Sequence, residues 1–302
     1  MSNPVTRFLT GLLALGLFAV SPAGAVDGDY KGSLGKGGHQ RYVPPLSNPF
    51  LNETPLITTE LRPIYLFNQI PDHVPLTGTT DGEIDLWAVQ LRVALTDRLG
   101  FIFNKNGWED VNFNTSGMSG DGFTNLGFGF KYAIVSDTRK HSIITAGLTY
   151  EAPTGNIKAG NLELQGEGDG YITPFFTAVE TANKVSIQAM FGTKIALDDK
   201  VNNSWFNYAI HMDYEMLPGF FPLVEFNGFI PISDGERTNA TFEGLDLFSV
   251  GASDPASTIT FAAGGRLKVM NHVLAGVAYE VPLTDDEDIL RWRLTADLVI
   301  YY

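Results

Sequence analysis

From about residue 58 onward, hydrophobic and polar side chains alternate with a period of two. Leu126, Phe128, Phe130, Tyr132 and Ile134 share one face of such a run, and Asn125, Gly127, Gly129 and Lys131 share the other. Phe206, Tyr208, Ile210, Met212 and Tyr214 oppose Asn207, Ala209, His211, Asp213 and Glu215. The last run, 290–302, sets Leu290, Trp292, Leu294, Ala296, Leu298, Ile300 and Tyr302 against Arg291, Arg293, Thr295, Asp297 and Tyr301. Period two is the mark of a strand with two unlike faces. These runs are long. Ordinary strands have about 5–6 residues, whereas a strand tilted across a bilayer needs roughly 9–11.

Twelve strands are predicted, at 59–67, 84–96, 99–108, 123–136, 142–152, 171–181, 184–197, 204–215, 221–232, 258–269, 272–283 and 290–302. The segment GLDLFSVGA at 244–252 competes for the tenth place. Connections after the even-numbered strands are tight, such as DTRKH at 137 and ANK at 182. Those after the odd-numbered strands are longer and polar, such as TGNIKAGNLELQGEGDG. Strict short–long alternation puts all tight turns at one end and all long loops at the other. That is the organisation of bacterial outer-membrane barrels, with an even strand number and both termini periplasmic. The predicted fold is therefore all-β, a transmembrane antiparallel β-barrel whose apolar face meets lipid, because only closure leaves no backbone unpaired in hydrocarbon. Tyr150, Tyr279, Trp292 and Tyr302 near strand ends suit interfacial girdles.

The N-terminus adds a route to that membrane. Residues 1–25 hold Arg7, an apolar run from Phe8 to Val20 and the Ala23-Gly24-Ala25 site of a secretory signal peptide, too short to span as a helix. Residues 26–57 are rich in Gly, Pro and Asn and read as an irregular periplasmic extension, either mobile or packed under or inside the barrel of 58–302. There is no cysteine, and the net charge is -14. An acidic chain without clustered Lys and Arg is a poor partner for nucleic acid. Lipids and lipopolysaccharide of the outer membrane are the expected surroundings.

Candidate chemistry is sparse. Outer-membrane phospholipases also have twelve strands and a Ser–His–Asn arrangement, but His141, His211 and His272 come here with no convincing nucleophile. The acidic stretches LDDK at 197 and LTDDEDI at 283 lack the spacing of a calcium loop. No catalytic residue, cofactor or metal is expected. The inward set is the stronger clue. By parity Arg62, Arg92, Lys131, Glu151, Asp213, Glu215, Glu225, Arg266, Glu280, Arg291 and Arg293 line the lumen, with both signs present. They pair across a closed interior or line a narrow wet pore. A hairpin symmetric about 285–288 sets Glu280 against Arg291, Ala278 against Arg293 and Tyr279 against Trp292. On these faces Leu298→Arg would meet lipid and Thr295→Arg would be tolerated.

Two resemblances extend the reading. The apolar alternation from Ala296 to a terminal aromatic, Tyr302, resembles the C-terminal strand signature of outer-membrane proteins and implies recognition by the barrel-assembly machinery. GLTYEAPTGN at 147–156, with Pro153, Thr154 and Gly155, resembles the strand exit of the barrel family associated with meta-pathway phenol degradation; Tyr279-Glu280-Val281-Pro282 partly echoes it. That resemblance implies an outer-membrane channel for small solutes, hydrophobic or aromatic ones among them, and transfers no binding residue. The alternatives are a non-conducting structural or surface-interaction barrel and, third, an outer-membrane hydrolase.

Overall fold

The computed structural model describes residues 30–72, 81–114 and 117–302; the signal peptide expected at 1–25 lies outside them. A short 3-10 turn at Gly32–Leu34 precedes sixteen strands: β1 Glu60–Ile70, β2 Gly82–Ala94, β3 Leu99–Lys105, β4 Trp108–Asn112, β5 Ser119–Phe123, β6 Leu126–Asp137, β7 Ser142–Ala152, β8 Lys158–Ala159, β9 Leu162–Glu163, β10 Tyr171–Ala182, β11 Val185–Ala196, β12 Ser204–Tyr214, β13 Phe220–Ser233, β14 Thr258–Met270, β15 Val273–Pro282 and β16 Trp292–Tyr301. All but β8 and β9 belong to one antiparallel sheet, and β1 pairs with both β2 and β16, so the sheet closes on itself. β3 with β4 forms one stave and β5 with β6 another, which makes a twelve-stranded barrel.

Twelve predicted strands thus stand as twelve staves, but two of them run further than alternation suggested. The third breaks at Asn106 and Gly107, where Gly107 has φ 149 and the Asn106 amide bonds both backbone groups of Val89 (3.0 and 2.6 Å) in place of the ladder. It resumes as β4 in the stretch expected to be loop. Trp87, Trp108 and Phe123 form an exposed outward row across β2, β4 and β5. Beyond it the outward residues are Asp85, Asp110 and Asp121, so the apolar alternation that marks a lipid-facing strand vanishes while the strand continues.

Lower down the barrel the outward face is apolar and bare. Phe130, Leu148, Phe176, Ile187, Phe191 and Leu267 are exposed, a surface that water would not leave uncovered and lipid would. Connections sort by length: 95–98, 138–141, 183–184, 215–219 and 271–272 lie at one end, and 153–170, 197–203, 234–257 and 283–291 at the other, where β1 and β4 also end. Asn183, at φ 56, makes the left-handed step of a two-residue turn.

Three expectations are corrected. The segment 244–252 forms no stave; Leu245, Leu247, Phe248 and Val250 are all buried, because the long loop 234–257 folds into the barrel mouth and covers both faces of the segment. The β15–β16 register is two residues away from the symmetric hairpin: Glu280 faces Arg293, Ala278 faces Thr295 and Tyr279 faces Leu294. Ile289 and Leu290, fully buried, are drawn into the same mouth, so β16 starts at Trp292 and the loop is lopsided. A two-residue slip keeps every face, and the Tyr279 and Trp292 rings still stack at 5.7 Å as diagonal neighbours. Finally, Thr295 has no wet lumen before it. It is 1% exposed. Thr295→Arg is therefore expected to destabilise as Leu298→Arg does, each by about 2–4 kcal/mol, the first by overpacking and a buried charge and the second by lipid exposure. Urea unfolding in vesicles measures both, and a tolerated Thr295→Arg would mean that the interior is not packed.

Candidate functional site

The lumen is filled in two layers of different chemistry. In the layer toward the tight turns, residues 38–57 run through the barrel interior, and almost all of them from 42 onward are buried. The sequence YVPPLSNPFLNETP (42–55) explains why they can. Its four prolines carry no N–H and hold the chain extended, so few donors need partners inside the barrel. The carbonyls need donors, and the wall supplies them. Gln188 donates to Val43 O (2.6 Å), Arg266 to Pro44 O (2.6 Å) and Pro45 O (2.9 Å), and Arg62 to Pro45 O (2.8 Å). Gln90 reaches Pro49 O (2.7 Å), Asn104 reaches Phe50 O (2.8 Å), and Thr145 reaches Pro55 O (2.6 Å).

Charged groups fasten the same segment. Asp297 accepts from Arg62 Nε (2.6 Å) and from Arg266 Nη1 (2.7 Å), holding both guanidiniums against the segment's prolines. Glu225 takes the Leu46 and Ser47 amides (2.8 and 2.6 Å) and His211 Nδ1 (2.6 Å); His211 Nε2 lies 3.2 Å from Asp213, which also pairs with Arg41 of the segment. Glu53 is held by Arg92 (2.6 Å) and Lys131 (2.7 Å). Burial works against its charge, but the two cations outweigh burial and hold its carboxyl at about 2. The Tyr42 hydroxyl donates to Glu60, which Arg92 also binds (2.7 Å).

Toward the long loops the filling is apolar. Phe242, Leu245, Leu247, Phe248 and Val250 of 234–257, Ile157 and Leu164 of 153–170, and Ile289 and Leu290 pack on inward Ile64, Leu66, Ile84, Leu86, Val111, Trp205 and Phe229. Lumen positions of β1 and β2 that parity marks as inward are thus hydrophobic here. Within this cap Asp288 accepts the Glu243 and Gly244 amides (both 2.8 Å), and Glu243 accepts the Ala252 amide (2.9 Å). Burial raises the Asp288 carboxyl to about 6 and that of Glu243 to about 8.

The structure distributes the parity set as follows. Arg62, Arg92, Lys131, Glu151, Asp213, Glu225, Arg266, Glu280 and Arg293 face inward and are buried. Glu151 joins Lys105 (2.8 Å) and Lys194 (3.0 Å). Arg293 pairs with Asp246 of the cap (2.8 Å), and Glu280 lies 3.8 Å away. Glu215 is half-buried just past β12, at a tight turn. Arg291 is the departure. It precedes β16, is exposed, and pairs with Asp72 at the rim (2.6 Å), so it does not line the interior. Parity did not point to Arg41, Tyr42 and Glu53 of the inner segment or to Asp246 of the cap. The only trace of them in the chain is proline spacing around one acid in 42–55 and apolar residues in a loop.

No family model matches the chain. No curated protein matches it either. Among solved structures, an outer-membrane channel from Pseudomonas putida F1 is similar over 86% of this chain and 100% of its own, with a TM-score of 0.54 at 14% identity. The NanC porin (TM-score 0.49, 7% identity) and the KdgM porin (TM-score 0.44, 10% identity) each align with 80% of this chain and 99% of their own. At such identities the likeness to the channel is one of fold. With its closed sheet and apolar outer surface, the chain is a twelve-stranded β-barrel of the outer-membrane type.

Proposed function

We propose that this barrel is a gated outer-membrane channel for small solutes and that residues 38–57 are its gate. The observation that carries this reading is how the segment is held. Its backbone and Glu53 are bound to the wall by hydrogen bonds and ion pairs that a wet lumen could replace, while Tyr42, Leu46, Phe50, Leu56 and Ile57 pack on apolar residues of the interior. The resemblance of 147–156 to the meta-pathway phenol-degradation barrels supports hydrophobic or aromatic solutes, with no catalytic role. Both termini are periplasmic in this reading, the long loops lie among lipopolysaccharide outside, and the terminal Tyr302 addresses the barrel-assembly machinery.

Because the chain has no cysteine, one engineered pair tests the gate. Asn227 Nδ2 donates to Ser47 Oγ at 2.9 Å, joining wall and segment. In planar bilayers, Ser47→Cys with Asn227→Cys is expected to fall silent when oxidised and to conduct again after reduction. Equal conductance in both states would mean that solutes bypass the segment. Silence in the reduced protein and the wild type alike would favour a structural barrel, the reading that a filled lumen also supports.

Orientation has its own check. An epitope inserted at Asp286 should label on intact cells, and one at Asn271 only after permeabilisation. The reverse pattern would invert the topology.

A further inference from the structure

Glu53 is the sole acid between Tyr30 and Thr59. Arg92 grips it with two parallel bonds, Nε to Oε1 (2.7 Å) and Nη2 to Oε2 (2.6 Å). Lys131 Nζ adds a third bond to Oε1 (2.7 Å). A guanidinium fork plus an ammonium around one carboxylate is the geometry of a carboxylate receptor. The other bonds of Lys131 go to Thr54 O (2.8 Å) and Leu56 O (2.6 Å), both on the segment. Of the wall acids, Glu60 bonds Arg92 Nη1 (2.7 Å). If the segment leaves, Arg92 and Lys131 therefore share one wall carboxylate and carry an excess positive charge.

The surface beside this pair is apolar. Ile102 is the cross-strand partner of Arg92, and Gly147 is that of Lys131. Gly147 is needed there because a Cβ would lie 2.2 Å from Phe175 Cζ, whose ring crosses the glycine. Ile102, Phe175, Met190 and Ala209 form one buried cluster. A small crevice at the tight-turn end is lined by His39, Arg41, Leu56 and Gln188, and Leu56 O accepts from Lys131 (2.6 Å).

We propose that Arg92 and Lys131 form a binding site for small monocarboxylates with an apolar body, and that Glu53 occupies it while the gate is shut. The proposal rests on the channel reading and adds to it a solute class and a trigger. An incoming carboxylate replaces that of Glu53, its apolar body lies along Ile102 and Phe175, and the segment loses its central ion pair. A neutral aromatic cannot do the same, since it would leave two buried cations with one carboxylate, Glu60, between them.

Benzoate is the probe and benzyl alcohol its neutral counterpart, used on the full-length mature protein. Benzoate is expected to raise the open probability of the wild type, and benzyl alcohol to leave it unchanged. Glu53→Gln removes the internal competitor, so calorimetry should show benzoate binding at least about tenfold tighter than in wild type. Adding Lys131→Met to that variant should abolish the gain, with heat-modifiable gel migration confirming a folded barrel. Benzoate binding no tighter to Glu53→Gln, or an equal response to benzyl alcohol, would overturn the site. If Glu53→Gln conducts but ignores benzoate, the site fails and the channel stands. If it binds benzoate tightly and no variant conducts, the site stands and the channel reading fails.

Discussion

Replacing Asp297 by alanine is expected to cost about 3–5 kcal/mol of barrel stability, the effect of removing one partner from a buried charge cluster. Asp297 is the acid that holds Arg62 and Arg266 together, and all three side chains are at most 1% exposed. Without it two guanidiniums stay inside the barrel with only the carbonyls of Pro44 and Pro45 to bond. The loss comes mainly from those orphaned cations and not from the pair's own net worth. The combination Arg62→Met, Arg266→Met and Asp297→Leu should therefore recover part of the stability that Asp297→Ala loses, the remainder being the Pro44 and Pro45 carbonyls left without donors. Urea titration in phospholipid vesicles, followed by tryptophan emission, reads all of these variants. Lys158→Ala, which breaks an exposed pair with Glu163, should leave the midpoint where it is. A small shift for Asp297→Ala would mean that water reaches the cluster.

The cap at the long-loop end should loosen as pH rises. Glu243 and Asp288 sit at about 8 and about 6 because burial disfavours their charged forms, against ordinary values of 4.5 and 3.8. Folded values above unfolded ones mean that the folded cap binds more protons. Their contribution is fully present below about pH 4 and is lost as pH climbs through 6 and then 8. If fully expressed the loss is on the order of several kcal/mol for Glu243, at about 1.4 kcal/mol per unit. Hydrogen exchange at the Glu243, Gly244 and Ala252 amides, corrected for intrinsic rates, should accelerate from pH 5 to pH 9. Glu243→Gln with Asp288→Asn should flatten that rise. A wild-type profile already flat would show that the cap's acids are solvated.

Amino-acid order by itself determined the wall. Strand number, the side of each residue and the sorting of turns by length follow from local rules: period two, turn chemistry, and the need to pair every backbone group in lipid. Phe130 out and Lys131 in could be read from their neighbours alone. Even the hairpin error at Glu280 and Arg293 kept each residue within the two strands on its face, because parity survives a two-residue slip; only Arg291, which precedes β16, left the lumen set.

What fills the wall was decided only by the tertiary structure. Arg41 and Asp213 are 172 residues apart in the chain, and Asp297 and Arg62 are 235 apart. No spacing rule links such positions; the closed barrel brings them together. The segment 42–55 carries no period because it is neither helix nor strand, and its carbonyls are satisfied by the wall instead of by a ladder. Leu245, Leu247, Phe248 and Val250 lie in the cap and not in a stave, since burial on every side rewards apolar residues whatever the backbone does. Periodicity reports a boundary between two environments. Inside this barrel there is no such boundary, and so the sequence carried no periodic signal of its contents.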